Sequence, residues 1–192
     1  MRVVLVLLLF ILISFQPDKA VVKKWVIQSG CSLKVDGSTN INTFSCQISD
    51  YGKPDTIIAT STAAQQVQLN GNIKLDIQHF DCGNPIMTAD LRKTLKSEKF
   101  PQLMIYFANL TKYPESKQNI KGTVVIVLAG VSKRFDVDYK VSSADNNFIN
   151  FTGYRKINFS DFNLTPPRKL GGMIKTNNEL SVVFNLRMKV LN

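Results

Sequence analysis

An all-β protein is predicted: an antiparallel sheet closed as a sandwich or a barrel, with one short helix after the central strands. Three observations carry that prediction. Stretches such as "NELSVVFNLRMKVLN" alternate apolar and polar residues with period two, as a strand buried on one face must. About ten segments of this kind follow one another at short spacing, with turn residues between them. One segment, "MTADLRKTLKSEKFP", breaks the pattern and repeats its apolar residues every fourth position instead.

The chain has 192 residues, 44% of them hydrophobic and 20% charged, which suits one domain with a real core. Residues 1–20 are read as a signal peptide and 21–192 as the single domain. Arg2 precedes an unbroken apolar run from Val3 to Ile13, too short for a bilayer span of about 20 residues but right for an export signal. An uncleaved N-terminal anchor is the alternative.

Strands are expected at Trp25–Gln28, Ser32–Val35, Phe44–Ser49 and Thr56–Thr60. In "VQLNGNIKLDIQ", Leu69, Ile73, Leu75 and Ile77 share one face with Gly71 in phase. The helical segment follows, with Met87, Leu91 and Leu95 along one stripe, Thr88 as N-cap and Pro101 as stop. Strands resume at Leu103–Leu110 and Thr123–Ala129. A tight hairpin at Ala129-Gly130 leads into "KRFDVDYKVS", which places Phe135, Val137, Tyr139 and Val141 on one side. Phe148–Tyr154 comes next, then an irregular loop, "NFSDFNLTPPRKLGG", opening with a short helical turn. The final strand puts Leu180, Val182, Phe184, Leu186, Met188 and Val190 inward, with Val183 out of phase.

Without residues 1–20 the net charge is 22 − 13 = +9. The basic residues are scattered singly and not interleaved with stacking aromatics, which argues against nucleic acid as a partner. The charge serves solubility first and attraction to an anionic membrane surface second. An enzyme is not expected. His79 is the only histidine, and there is no nucleophile elbow, phosphate loop, paired carboxylate or calcium loop. No catalytic residue, metal site or cofactor is assigned. Four N-x-S/T matches, at Asn109, Asn150, Asn158 and Asn163, carry no argument in so asparagine-rich a chain.

The order of several motifs carries a resemblance. "WVIQSGCSLKVDGSTNINTFSC" sets a Trp strand and a Ser-x-Leu strand before Gly-x-Thr-Asn and a Phe. "LDIQHFDCGNPIMTADLRKTLKSEKFPQLMIYF" has a strand, a short helix with Met and a Leu-Lys pair, then Pro and an extended strand. "GTVVIVLAGVSKRFDV" and "NFSDFNLTPPRKLGGMIKTNNELSVVFNL" supply a Gly-Val-Ser-Lys hairpin and an Asp-Phe-x-Leu-x-Pro-Pro segment with the last strand. Over nearly all of residues 24–190 the chain resembles the YceI-like, lipocalin-related proteins.

That resemblance implies an antiparallel, lipocalin-like barrel whose lumen takes a long apolar molecule, a polyisoprenoid or an isoprenoid quinone. It also implies export to the bacterial periplasm and no catalytic residue. Strand phase selects the lumen candidates: Leu69, Ile73, Leu75, Ile77, Ile105, Phe107, Val137, Tyr139, Phe151, Val182, Phe184 and Leu186. "DGSTNINTF" then reads as a wet rim connection, with Phe44 turning inward at the start of the next strand. The competing function is an envelope stress-related interaction module with a filled core; oligomeric state is left open.

Three cysteines allow one bridge. Cys46 begins the strand after the Asn-rich loop, and Cys82 ends the strand running into the Gly83-Asn-Pro turn. Two such ends meet at a barrel rim, so Cys46–Cys82 is the expected disulfide with Cys31 reduced. Three free thiols, or a Cys31–Cys46 bridge, are the alternatives.

Overall fold

Two of the N-terminal strands bend, and the bends decide how the sheet closes. The structure, a computed structural model, describes residues 20–61, 66–144 and 147–191; the expected signal peptide, but for Ala20, lies outside them. Strand β1 (Val21–Ile27) and strand β2 (Cys31–Ser38) both run antiparallel to the last strand, β12 (Glu179–Leu191). Ile27 lies opposite Met188 and Ser32 opposite Asn185, so Gln28-Ser29-Gly30 forms a bulge in one long strand. β3 (Thr43–Tyr51) and β4 (Thr56–Ser61) repeat the arrangement, β3 pairing with β2 and β4 with β1.

From β4 the sheet continues through β5 (Val67–Asp76), β6 (Gln102–Leu110), β7 (Asn119–Leu128), β8 (Val131–Ala144) and β9 (Phe148–Asn158) to β12. Because β12 also pairs with β1, the sheet closes into an eight-stranded antiparallel barrel, each bent pair counting as one strand. The β7–β8 hairpin turns at Ala129 and Gly130, φ 51° and 80°, with Leu128 opposite Val131. Two positive φ values in a two-residue loop make the twist that antiparallel strands favour, and glycine takes the second without strain.

The barrel has one seam. On the side away from β2, β3 meets only a single bridge, Gln47 to Asp81, among the described residues. The chain there leaves β5 through a 3-10 turn, Ile77–His79, and then enters helix α1 (Pro85–Thr94). The Cys46–Cys82 disulfide sits beside the Gln47–Asp81 bridge and joins β3 to the approach of α1.

The helix lies where its apolar spacing puts it, but its signals differ from those expected. Its N-cap is Asn84, whose side chain accepts from the Ile86 and Met87 amides, with Pro85 in the first turn. Thr88 lies inside the helix, and its hydroxyl accepts from the Cys82 amide. The helix ends at Thr94, with Leu95 as its C-cap before Lys96 at φ 55°, not at Pro101. Cys82 is likewise not on β5, which stops at Asp76; it follows the lone bridge residue Asp81. The helical turn expected in the late loop is the 3-10 turn Phe159–Phe162, and two short strands follow, β10 (Arg168–Lys169) and β11 (Ile174–Lys175).

Candidate functional site

The inward positions of the strands divide the barrel interior into two parts. At the closed end, Trp25 packs against Tyr113 and Phe151 with ring centroids 6.0 and 6.2 Å apart. Tyr139 meets Phe151 at 5.5 Å and Phe184 at 5.6 Å. These are edge or tilted contacts, the arrangement aromatic rings prefer. They leave a void of only about 10 Å3. Burial pushes the Tyr139 hydroxyl far above its ordinary pKa, so it stays neutral. The Trp25 indole N–H finds no hydrogen-bond partner among the described residues.

Toward the other end the interior loosens. Leu91 of α1, its C-cap Leu95, Phe80 and inward residues of β2, β6, β7, β9 and β12 enclose an apolar cavity of about 60 Å3. Leu91 also lines a larger groove of about 350 Å3 at the barrel mouth. One wall is α1, through Met87, Asp90 and Leu91; another is the β2–β3 hairpin, through Thr39, Asn42 and Phe44. The third is the late loop, through Phe159, Pro167, Lys169 and Ile174.

Each wall is held by its own local chemistry. Thr39 donates to Asn42, which sets the hairpin tip. Asn40 then joins the hairpin to the late loop, donating to the Met173 carbonyl at 2.9 Å and accepting from the Lys175 amide at 2.9 Å. Lys169 reaches Asp90 at 2.5 Å and links the late loop to α1. Arg92 donates to the Phe80 carbonyl at 3.1 Å, tying the helix to the turn below it. Asp161 holds the Phe159–Phe162 turn by accepting from the Asn158 amide and from Lys133. The Lys133 hydrogen bond is the main cause of its carboxyl lying below the usual range. Phe44 turns inward as expected, and its ring covers the place where a Cβ on Gly37 would stand, 2.3 Å from Cζ. A Cβ at position 37 would push that ring away from β2 and shift this part of the groove wall.

All twelve lumen candidates face the interior. Leu69, Phe107, Tyr139, Phe151 and Leu186 line the closed-end void, and Ile105 and Val182 line the 60 Å3 cavity. Ile73, Leu75, Val137 and Phe184 are buried, Phe184 in the closed-end ring cluster, and Ile77 is buried at the start of the 3-10 turn that follows β5. Cys46 and Cys82 are bonded, and Cys46 is part of the groove wall. Cys31 is a buried free thiol that donates to the Gln28 carbonyl, and burial pushes its pKa up. His79 is exposed on its turn. The described residues hold no group of three or more His, Cys, Asp or Glu that could bind a metal, and no helix among them is long and apolar enough to cross a membrane.

Sequence reasoning missed the groove as a unit. Met87, Leu91, Phe44 and the Pro-Pro loop were each visible as helix stripe, strand start and irregular segment. Nothing in strand phase says that three segments separated by tens of residues converge on one mouth.

The YceI-like domain model matches residues 14–188. Among curated proteins, none matches the chain. Among solved structures, BcnA of Burkholderia cenocepacia is similar at 15% identity and a TM-score of 0.61, over 82% of this chain and 95% of its own. A polyisoprenoid-binding domain from Saccharophagus degradans, implicated in plant cell wall breakdown, is similar at 11% identity and a TM-score of 0.57, over 88% and 98%. The YceI protein of Campylobacter jejuni follows at 15% and 0.55, over 70% and 80%.

Proposed function

This chain belongs to the YceI-like domain family, and from that premise we propose that it is a non-catalytic binding protein for a long apolar ligand of the polyisoprenoid or isoprenoid quinone type. One observation carries the reading: an apolar groove at the barrel mouth shares Leu91 with an apolar cavity inside the barrel. At about 350 Å3 the groove reaches the lower end of the roughly 300–1,000 Å3 common for small-molecule sites. Burial of the chain drives binding, at about 0.8 kcal/mol per CH2. The ligand lies mainly in the groove and sends one end past Leu91, because the closed end is filled by aromatic rings. The Saccharophagus neighbour's polyisoprenoid binding supports this choice of ligand class. The apolar run Val3–Ile13 supports export, and we place the protein in the bacterial periplasm. N-terminal sequencing of the protein from fractionated cells checks this, with a first residue near position 21 expected.

A second reading is favoured by the small interior volume, about 60 Å3 under the helix and about 10 Å3 at the closed end. On that reading the chain is an envelope protein that docks onto another chain and carries no lipid.

Organic extraction of the purified protein followed by mass spectrometry separates the two. An isoprenoid lipid in stoichiometric amount is the expected result. No co-purifying lipid, together with no binding of added isoprenoids, leaves the second reading standing.

A further inference from the structure

The four most exposed large apolar side chains of the described residues are Ile41, Ile86, Leu170 and Met173, at 66, 70, 66 and 71%. They come from three segments far apart in sequence, yet all lie at the groove mouth. Ile41 follows Asn40, which bonds the Met173 carbonyl and the Lys175 amide. Leu170 follows Lys169, which holds Asp90 of α1, and Ile86 opens that helix and lines the groove. Apolar side chains this exposed have a cost in water that a packed core does not explain, and their convergence around one opening points to a surface they enter.

The charge beside them identifies that surface. Arg168, Lys169 and Lys175 stand on the same late loop. Asp90, the acidic side chain of the groove wall, is neutralised by Lys169. Arg168 and Lys175 make no ion pair among the described residues. Apolar tips ringed by unpaired cations fit an anionic lipid interface, where the tips enter the acyl boundary and the cations meet headgroup phosphates.

We propose that the groove mouth is a membrane-docking face: Ile41, Ile86, Leu170 and Met173 insert into an anionic bilayer surface while Arg168 and Lys175 bind its headgroups. Docked in this way, the groove opens directly onto lipid, so an apolar ligand passes between bilayer and protein without crossing water. The proposal deepens the lipid-binding reading but is tested apart from it, because vesicle binding is read without any transferred ligand.

The experiment is co-sedimentation of the purified protein with vesicles of phosphatidylcholine alone or with about one third phosphatidylglycerol. Wild type is expected to sediment with the anionic vesicles and far less with the neutral ones. The pair Ile41→Ser and Met173→Ser, both outside the groove lining, is expected to weaken binding about tenfold. Arg168→Gln and Lys175→Gln are each expected to weaken it roughly fivefold on anionic vesicles and to leave neutral vesicles unaffected. Val21→Ser with Val22→Ser, on β1, is the matched control, all variants keeping one N-terminus. Wild type that stays in the supernatant with both vesicles overturns the proposal, including the case in which it binds a protein partner instead. So does binding that the Ile41 and Met173 pair leaves unchanged, or that the Val21 and Val22 pair weakens as much. If vesicle binding fails while extracted lipid is still found, the docking face is wrong and the ligand reading survives.

Discussion

The closed end and the mouth of this barrel are built from the same strands and the same alternation, yet one is solid and the other is open. At the closed end Trp25, Tyr139, Phe151 and Phe184 fill the space between β1, β8, β9 and β12 with rings in contact. At the mouth the space is left to α1, the tip of the β2–β3 hairpin with the start of β3, and the late loop. Period-two patterning fixes which side chains point inward, but their size and the covering segments decide whether the inside holds anything else.

The largest expected effect tests the solid end. Trp25→Ala should destabilise the fold by about 3–5 kcal/mol in urea unfolding, the usual cost of emptying a large buried site. Met87→Ala, on the half-buried groove wall, should cost only about 1 kcal/mol, because its side chain packs on one side alone. Equal losses at the two positions would break the contrast.

Next comes the seam. Cys46→Ser removes a bridge that closes a 36-residue separation, worth about 3–4 kcal/mol if the native geometry is unchanged. Reduction should also raise amide hydrogen exchange in β3 and α1 while leaving β8 and β9 protected. The reason is that, among the described residues, β3 is otherwise joined to that side by the Gln47–Asp81 bridge and by the Lys74 amide donating to the Tyr51 hydroxyl. Uniform loss of protection around the barrel would show that the seam is not a separate unit.

A smaller change sharpens the role of the helix start. Asn84→Ala removes the acceptor for the Ile86 and Met87 amides and should cost about 1 kcal/mol. Its companion readout is weaker binding of an added isoprenoid, because the first turn of α1 carries Met87 in the groove wall.

The smallest effect is set by pH. Asp161 has a folded-state pKa below its ordinary value, so the folded state favours its carboxylate. Its contribution is therefore present above the ordinary Asp pKa and is lost as pH falls through the lowered value. Acidification through that range should loosen the Phe159–Phe162 turn, seen by NMR as shifts at Phe159 and Phe162. Asp161→Asn should remove the transition while the closed end stays unchanged at both pH values.

Most of the fold was legible along the chain because strand phase is a local property. Eleven of the twelve lumen candidates are buried and Val182 is half-buried against the same core, and Gly130 marked its hairpin correctly. The helix stripe Met87, Leu91 and Leu95 was visible too, although Asn84 rather than Thr88 caps it. The choice between them rests on which side chain reaches the free amides, and this depends on where Pro85 starts the first turn. The groove was not legible. Its walls meet through Asn40 with the Lys175 amide, Lys169 with Asp90, and Cys46 with Cys82. The first two contacts span more than a third of the chain and leave no periodic trace.

The sequence by itself determined an antiparallel sheet with one apolar face, a short helix after β5 and a tight hairpin at Ala129-Gly130, because each follows from the residue order within a few positions. Only the tertiary structure decided that the sheet closes through two bent strands, that aromatic rings fill one end, and that Ile41, Ile86, Leu170 and Met173 crowd the other. Those outcomes depend on contacts between distant segments. Their free energies come from volumes and partners that no local pattern encodes.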